Sequence, residues 1–234
     1  MQVLVLLVLF WSVSALAGRT GGVSGPVVTE GQAAWQSRSG YDHDSDAFVN
    51  RIHYERSVSD DVRWRVVAAA TKTVDRKLDF DAVQGEVTLQ LTPNSARWQR
   101  GLRFDLLVRE SADRHAITLH WLNQFELNER WQVRVGALVT REFGGQRKTG
   151  VFLQSRSSVS YRANHRLDLS MEMFNLYGST TADLSFEEQS HQLGPMATYK
   201  IGKGWSVQIG TLFGVSKASS ALNYRLFIGI LNDN

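Results

Sequence analysis

Trp205, Ser206, Val207, Gln208, Ile209, Gly210, Thr211, Leu212, Phe213, Gly214 and Val215 form the stretch on which the fold reading turns. Every second residue from Trp205 is apolar or β-branched: Val207, Ile209, Thr211, Phe213 and Val215. Ser206, Gln208, Gly210, Leu212 and Gly214 lie between them. After Ser219 and Ser220 the alternation resumes, with Leu222, Tyr224, Leu226, Ile228 and Ile230 on one face and Asn223, Arg225, Phe227 and Gly229 on the other. A period of two marks a strand with one apolar face. Each run has roughly the ten residues that a tilted strand needs to cross a bilayer.

The same pattern extends back through the chain. Gly31, Ala33 and Trp35 share one parity in a weak first strand. Ala47 to Ser57 carries Phe48, Asn50, Ile52 and Tyr54 opposite Val49, Arg51, His53 and Glu55. Later runs set Val62, Trp64 and Val66, then Val83, Val87 and Leu89, then Leu102, Phe104, Leu106 and Val108, against polar partners. Ile117, Leu119 and Trp121 follow, then Val133, Val135 and Val139, Leu153 and Val159, Leu167, Leu169 and Met171, and Leu193, Ala197 and Tyr199. The count is twelve strands, an even number that puts both chain ends on one side of a membrane. Short turns near residues 58, 94, 128, 164 and 203 alternate with mostly longer loops. At the short-turn ends lie Tyr54, Trp64, Trp98, Phe125, Trp131, Tyr161, Tyr199 and Trp205, the arrangement of an interfacial aromatic girdle. The fold predicted is an all-β, antiparallel transmembrane β-barrel over residues 30–234. A soluble sandwich would instead turn the polar faces to water, and would need no aromatics at one level. Pro195 inside the tenth strand predicts a bulge or kink, because proline cannot donate to a ladder.

Composition agrees with this. The 234 residues include no Cys, which excludes disulfides, thiolate metal sites and cysteine nucleophiles. The formal charge is only +3, from 26 basic and 23 acidic residues, and calls for no nucleic-acid partner. No internal apolar run approaches the length of a membrane helix. Val3 to Trp11 followed by Ser14-Ala15-Leu16-Ala17 reads as a secretory signal peptide over 1–17, although no Lys or Arg precedes the apolar core. Residues 18–29, rich in Gly, Ser and Thr, read as a flexible periplasmic lead-in. Export and a barrel together predict a bacterial outer membrane, with outer-membrane lipid around the wall.

Parity sends nine bases into the barrel: Arg51, Arg63, Arg65, Arg103, Arg109, Arg134, Arg156, Lys200 and Arg225. It sends in six acids: Glu55, Glu86, Asp105, Glu142, Asp168 and Glu172. Arg51, Arg103, Arg156 and Arg225 fall near mid-depth with Glu86, Asp105 and Glu172. Twelve strands lie between the eight that side chains can fill and the sixteen that leave an aqueous channel. Two readings stay open: ion pairs that fill and brace the barrel, or an arginine-lined constriction for small anionic or polar solutes. A closed barrel serving a periplasmic partner in a secretion or electron-transfer assembly is another, with 18–29 as the contact. A lipid hydrolase is a fourth, using His53 or His120 with Ser158, Ser160, Asp105 or Asp168, or the outward His115 and His191. No Ser–His spacing supports it, and no phosphate loop, metal motif or cofactor motif is present. The expectation is a non-enzyme without cofactor.

In its strand number and inward arginines the chain is similar to the acidic-oligosaccharide porins, and more generally resembles small bacterial outer-membrane barrels. The final strand resembles their assembly signal through Leu222, Tyr224, Leu226, Ile228 and Ile230, without the usual terminal aromatic. The resemblance implies a porin-like barrel.

Overall fold

The computed structural model describes residues 20–110 and 113–232. The signal peptide expected over 1–17 lies outside the described residues. Twelve antiparallel strands follow one another: β1 (Ala33–Asp42), β2 (Ala47–Ser57), β3 (Val62–Lys72), β4 (Asp79–Gln90), β5 (Trp98–Arg109), β6 (His115–Glu126), β7 (Trp131–Phe143), β8 (Val151–Arg162), β9 (Leu167–Ser179), β10 (Ser190–Gly202), β11 (Trp205–Gly214) and β12 (Leu222–Asn232). Each pairs with its sequence neighbours, and β1 pairs with β12 from Ala33↔Asn232 to Asp42↔Asn223, so the barrel is closed.

Parity decides which way each side chain points. On β5, Phe104, Leu106 and Val108 are 49%, 48% and 46% exposed, whereas Arg103 and Asp105 are 5% and 8% exposed. The inversion is general around the wall: large apolar groups are outside and charge is inside, as lipid outside the wall requires. Trp35–Tyr54, Tyr54–Trp64, Trp98–Phe125 and Trp131–Tyr161 rings lie 4.6–5.8 Å apart and gird the end with the short turns. Two of these turns repeat one design. Asn128 Oδ1 accepts from the backbone N–H of Arg130 and Trp131, and Asn164 Oδ1 accepts from that of Arg166 and Leu167. Asparagine favours this self-closing geometry. A third, Gly202-Lys203-Gly204, turns on three residues of positive φ (121°, 51° and 76°).

Some outward residues are polar and satisfy one another, because lipid offers no hydrogen bonds. Asn50 Nδ2 donates to Ser37 Oγ (3.1 Å) and Ser39 Oγ (3.0 Å). Asn175 Nδ2 donates to Ser155 Oγ (3.0 Å), which lies 2.7 Å from the Tyr177 hydroxyl. The bulge or kink expected at Pro195 takes another form. Pro195 faces outward in unbroken register with Met171 of β9, and on the β11 side the paired residues pass from Leu193↔Phe213 to Met196↔Gly210 with no shift. The missing N–H interrupts the ladder without adding a residue. Register shifts occur elsewhere, at Ala69/Ala70, Leu153/Gln154 and Lys200/Gly202.

The wall makes a direct prediction. Phe104→Arg or Val135→Arg places a cation against lipid and costs about 2–4 kcal/mol near the midplane, whereas Ser160→Arg, which faces the inside near the turn end, costs much less. Urea unfolding of the barrel in vesicles measures both, and equal losses on the two faces would contradict the orientation.

Candidate functional site

The lumen is lined by alternate residues of every strand. Part of this lining is apolar: Leu122, Leu138, Phe174, Met196, Leu212 and Phe227 are all buried. The charged residues gather mainly on the other side. Arg65 bridges Glu55 and Glu86 (Arg65 Nη1–Glu86 Oε2 2.9 Å). Arg63 stands 3.8 Å from Glu55. Arg103 Nε lies 2.8 Å from Asp105 Oδ1 and Nη1 lies 3.5 Å from Glu86, and Asp105 Oδ2 lies 2.8 Å from His120 Nε2. Arg109 pairs with Asp81 at 3.0 Å, Arg225 with Glu172 at 2.7 Å, and Lys200 with Asp168 at 2.9 Å near the open turn end. Arg225 is also held between the rings of Phe174 and Phe227, at 5.1 and 4.8 Å. Glu142 receives Lys148 N–H at 2.8 Å at the loop end.

Four lumen arginines have no carboxylate partner among the described residues: Arg38, Arg51, Arg134 and Arg156. Arg134 Nε donates to Gln124 Oε1 (2.8 Å) and Arg38 Nε to Gln36 Oε1 (2.7 Å). Arg51 Nε is buried and has no partner, and both ring nitrogens of the neighbouring His53 are in the same state. Arg38 and Arg51 are directly opposed across β1 and β2. Like charges opposed in this way destabilise a sheet. Parity missed Arg38 because the outward face of β1 carries Ser37 and Ser39, which hide the alternation.

The largest departure from expectation concerns residues 18–29. From Thr20 to Val28 the chain lies inside the barrel. Thr20 and Val28 are fully buried, and Val23 packs with Phe174 and Leu212. The segment enters at the turn end, where Val28 N–H donates to Gln90 Oε1 (2.5 Å) and Asn94 Nδ2 donates to the Val28 carbonyl (3.1 Å). Gln99 Nε2 steadies this corner through the Asn94 carbonyl (2.8 Å). Pro26 lies against Gly101, where an added Cβ would come within 2.7 Å of the proline Cβ and of the Leu89 carbonyl. Deeper in, Arg103 Nη1 donates to Ser24 Oγ (2.8 Å), Arg156 Nη1 to the Gly22 carbonyl (3.4 Å), Arg225 Nη2 to the Gly21 carbonyl and Arg38 Nη1 to the Thr20 carbonyl (3.4 Å). Gly and Ser carry the side chains small enough to share the bore with these arginines.

Of the residues considered for hydrolysis, His120 and Asp105 meet, at 2.8 Å, but no serine hydroxyl joins them among the described residues. Among the described residues neither His53 nor His120 is hydrogen-bonded to a serine hydroxyl, and Ser158 is buried. His191, on the outward parity, is covered by a stacked Phe186 ring at 4.6 Å. Its ring nitrogens meet Asn175 Oδ1 (2.8 Å) and Gln189 Oε1 (3.1 Å). His115 Nδ1 accepts from Arg109 N–H at 3.3 Å. Among the described residues no cluster of His, Asp and Glu could hold a metal ion.

The architecture is a closed, twelve-stranded antiparallel β-barrel with an apolar outer wall and charged groups in its lumen. No protein-family model matches the chain, and no curated protein does. Solved structures do. The KdgM porin in complex with disordered oligogalacturonate aligns at a TM-score of 0.63 and 10% identity, over 86% of this chain and 99% of that one. The NanC porin gives 0.59 and 12% over 86% and 99%. The COG4313 outer-membrane channel from Pseudomonas putida F1 gives 0.64 and 11% over 88% and 97%. At such identities the likeness is one of fold.

Two predictions test the lumen. Glu172→Gln leaves the Arg225 guanidinium without its charge partner and lowers stability by about 3–5 kcal/mol, and replacing both residues by apolar ones of similar volume restores most of that loss. Gly101→Ala sets a methyl group against Pro26 and the Leu89 carbonyl and loosens the segment at the turn end, read as faster proteolytic cutting near residue 26.

Proposed function

We propose that the protein is a narrow outer-membrane channel that favours small anionic or polar solutes, and that it is not an enzyme. One observation carries this: Arg38, Arg51, Arg134 and Arg156 face the lumen without a carboxylate partner. Ion pairs that only braced a barrel would be balanced, since an uncompensated charge within a protein is costly. Unpaired guanidinium groups in a narrow bore with low-dielectric walls attract anions strongly, and rings of charge set selectivity in pores. The porin-type fold supports the reading, and so does the KdgM porin, solved with oligogalacturonate. The alternative role as a periplasmic partner subunit finds less support, because the segment that would reach a partner is folded into the lumen.

Purified full-length protein and a variant lacking residues 20–28 are compared in planar bilayers under a KCl gradient. The shortened chain passes the larger current, with a reversal potential on the anion side. Arg38→Ser combined with Arg156→Ser moves that potential towards zero. Silence of both the full-length and the shortened chain across voltages overturns the channel reading.

A further inference from the structure

The internal segment and the unpaired arginines meet at one place. Arg38, Arg103, Arg156 and Arg225, from four different strands, all donate to residues 20–24, and every acceptor there is neutral: three backbone carbonyls and one hydroxyl. An ionised oxygen adds charge–charge attraction to the hydrogen bond from a guanidinium, which a neutral carbonyl or hydroxyl cannot supply. The bonds from Arg38 and Arg156 are also long, at 3.4 Å each. Beside them, Arg51 Nε and both ring nitrogens of His53 are buried without a hydrogen-bond partner among the described residues. Thr20, Gly22, Arg38, Arg51, His53 and Arg156 border a cavity of about 130 Å³ that extends towards the loop end past Arg109 and Lys148. That space is ample for a small oxyanion.

Building on the channel reading, we propose that Arg38, Arg51 and Arg156 with His53 form a binding site for an oxyanion — a carboxylate, sulfate or phosphate group — and that filling it frees residues 20–24 from the lumen. The segment then acts as an internal stand-in for the solute. Its carbonyls occupy the arginines when no anion is bound, and an ionised group outcompetes them. Arg51 supplies the first contact because its buried Nε has no hydrogen-bond partner among the described residues. Arg38 and Arg156 then exchange Thr20 and Gly22 for the charged oxygens. The turn-end attachments of Val28 to Gln90 and Asn94, and of Pro26 to Gly101, involve neutral groups away from the site. They keep the segment tethered, so its deeper half moves while its entry stays fixed.

The absence of Cys allows a single reporter in the otherwise unchanged chain. Val23→Cys, packed against Phe174 and Leu212, is placed in the full-length protein in detergent, and its modification by a small uncharged thiol reagent is timed. Sodium sulfate or phosphate, compared with chloride at equal ionic strength, accelerates modification by about tenfold or more, the size of ordinary coupling between two ligands. Arg51→Gln removes the acceleration, and Lys217→Gln on the exposed loop end keeps it. Ser24→Cys serves as a second reporter should Val23→Cys disturb packing. A rate indifferent to both oxyanions at both reporters overturns the site, as does full acceleration in Arg51→Gln. No ion current enters this measurement. Bilayer conductance with an unresponsive thiol therefore sinks the oxyanion site alone, whereas silent bilayers with a responsive thiol sink the channel alone.

Discussion

The hydrogen-bonded seam between β1 and β12 is the interaction on which the rest depends. Inside a bilayer an unpaired backbone group has no water to turn to, so a sheet there must close on itself. Ten residue pairs from Ala33↔Asn232 to Asp42↔Asn223 do this. Closure fixes twelve strands, and twelve strands enclose a bore wider than side chains fill unaided. The space is therefore shared between long arginines and a length of the chain itself. The weak alternation of β1 does not loosen the seam, because backbone pairing is indifferent to which side chains it carries, and Asn50 satisfies the serines that β1 turns to lipid.

Much of this was legible because a membrane barrel writes its geometry into alternation. The bounds of β2, the inward direction of Arg103, Asp105 and Arg225, and the girdle from Tyr54 to Trp205 all follow from parity and the spacing of turns. The lead-in was not legible. A run of Gly, Ser and Thr has no period, and everything that positions it is remote in sequence: Gln90 lies 62 residues from Val28, and Arg225 lies 204 from Gly21. Arg38 escaped for a different reason. Its strand presents serines to lipid, so only the partner strand shows that the position faces inward. Nor does the alternation show what the apolar lumen residues Phe174 and Leu212 pack against, which is Val23 of the internal segment.

The two sides of the lumen divide the work. Near β3 to β6 the arginines are matched by Glu55, Glu86 and Asp105, and the network has the short, charge-assisted contacts expected of a brace. Across from it, Arg225 is paired with Glu172 and wedged between aromatic rings. The unpaired arginines lie between these regions, and the segment fills the space around them.

The interruption at Gly194 and Pro195 gives the wall a preferred line of weakness. Opposite them, Thr211 and Leu212 have no paired partner on β10, and the ladder resumes in the same register on either side. Among the described strands this is the one ladder broken without an inserted residue. A barrel under strain separates first where the fewest bonds must part. Amide exchange along β10 and β11 would then run ahead of exchange at the β1–β12 junction, even though the latter joins the two ends of the sheet.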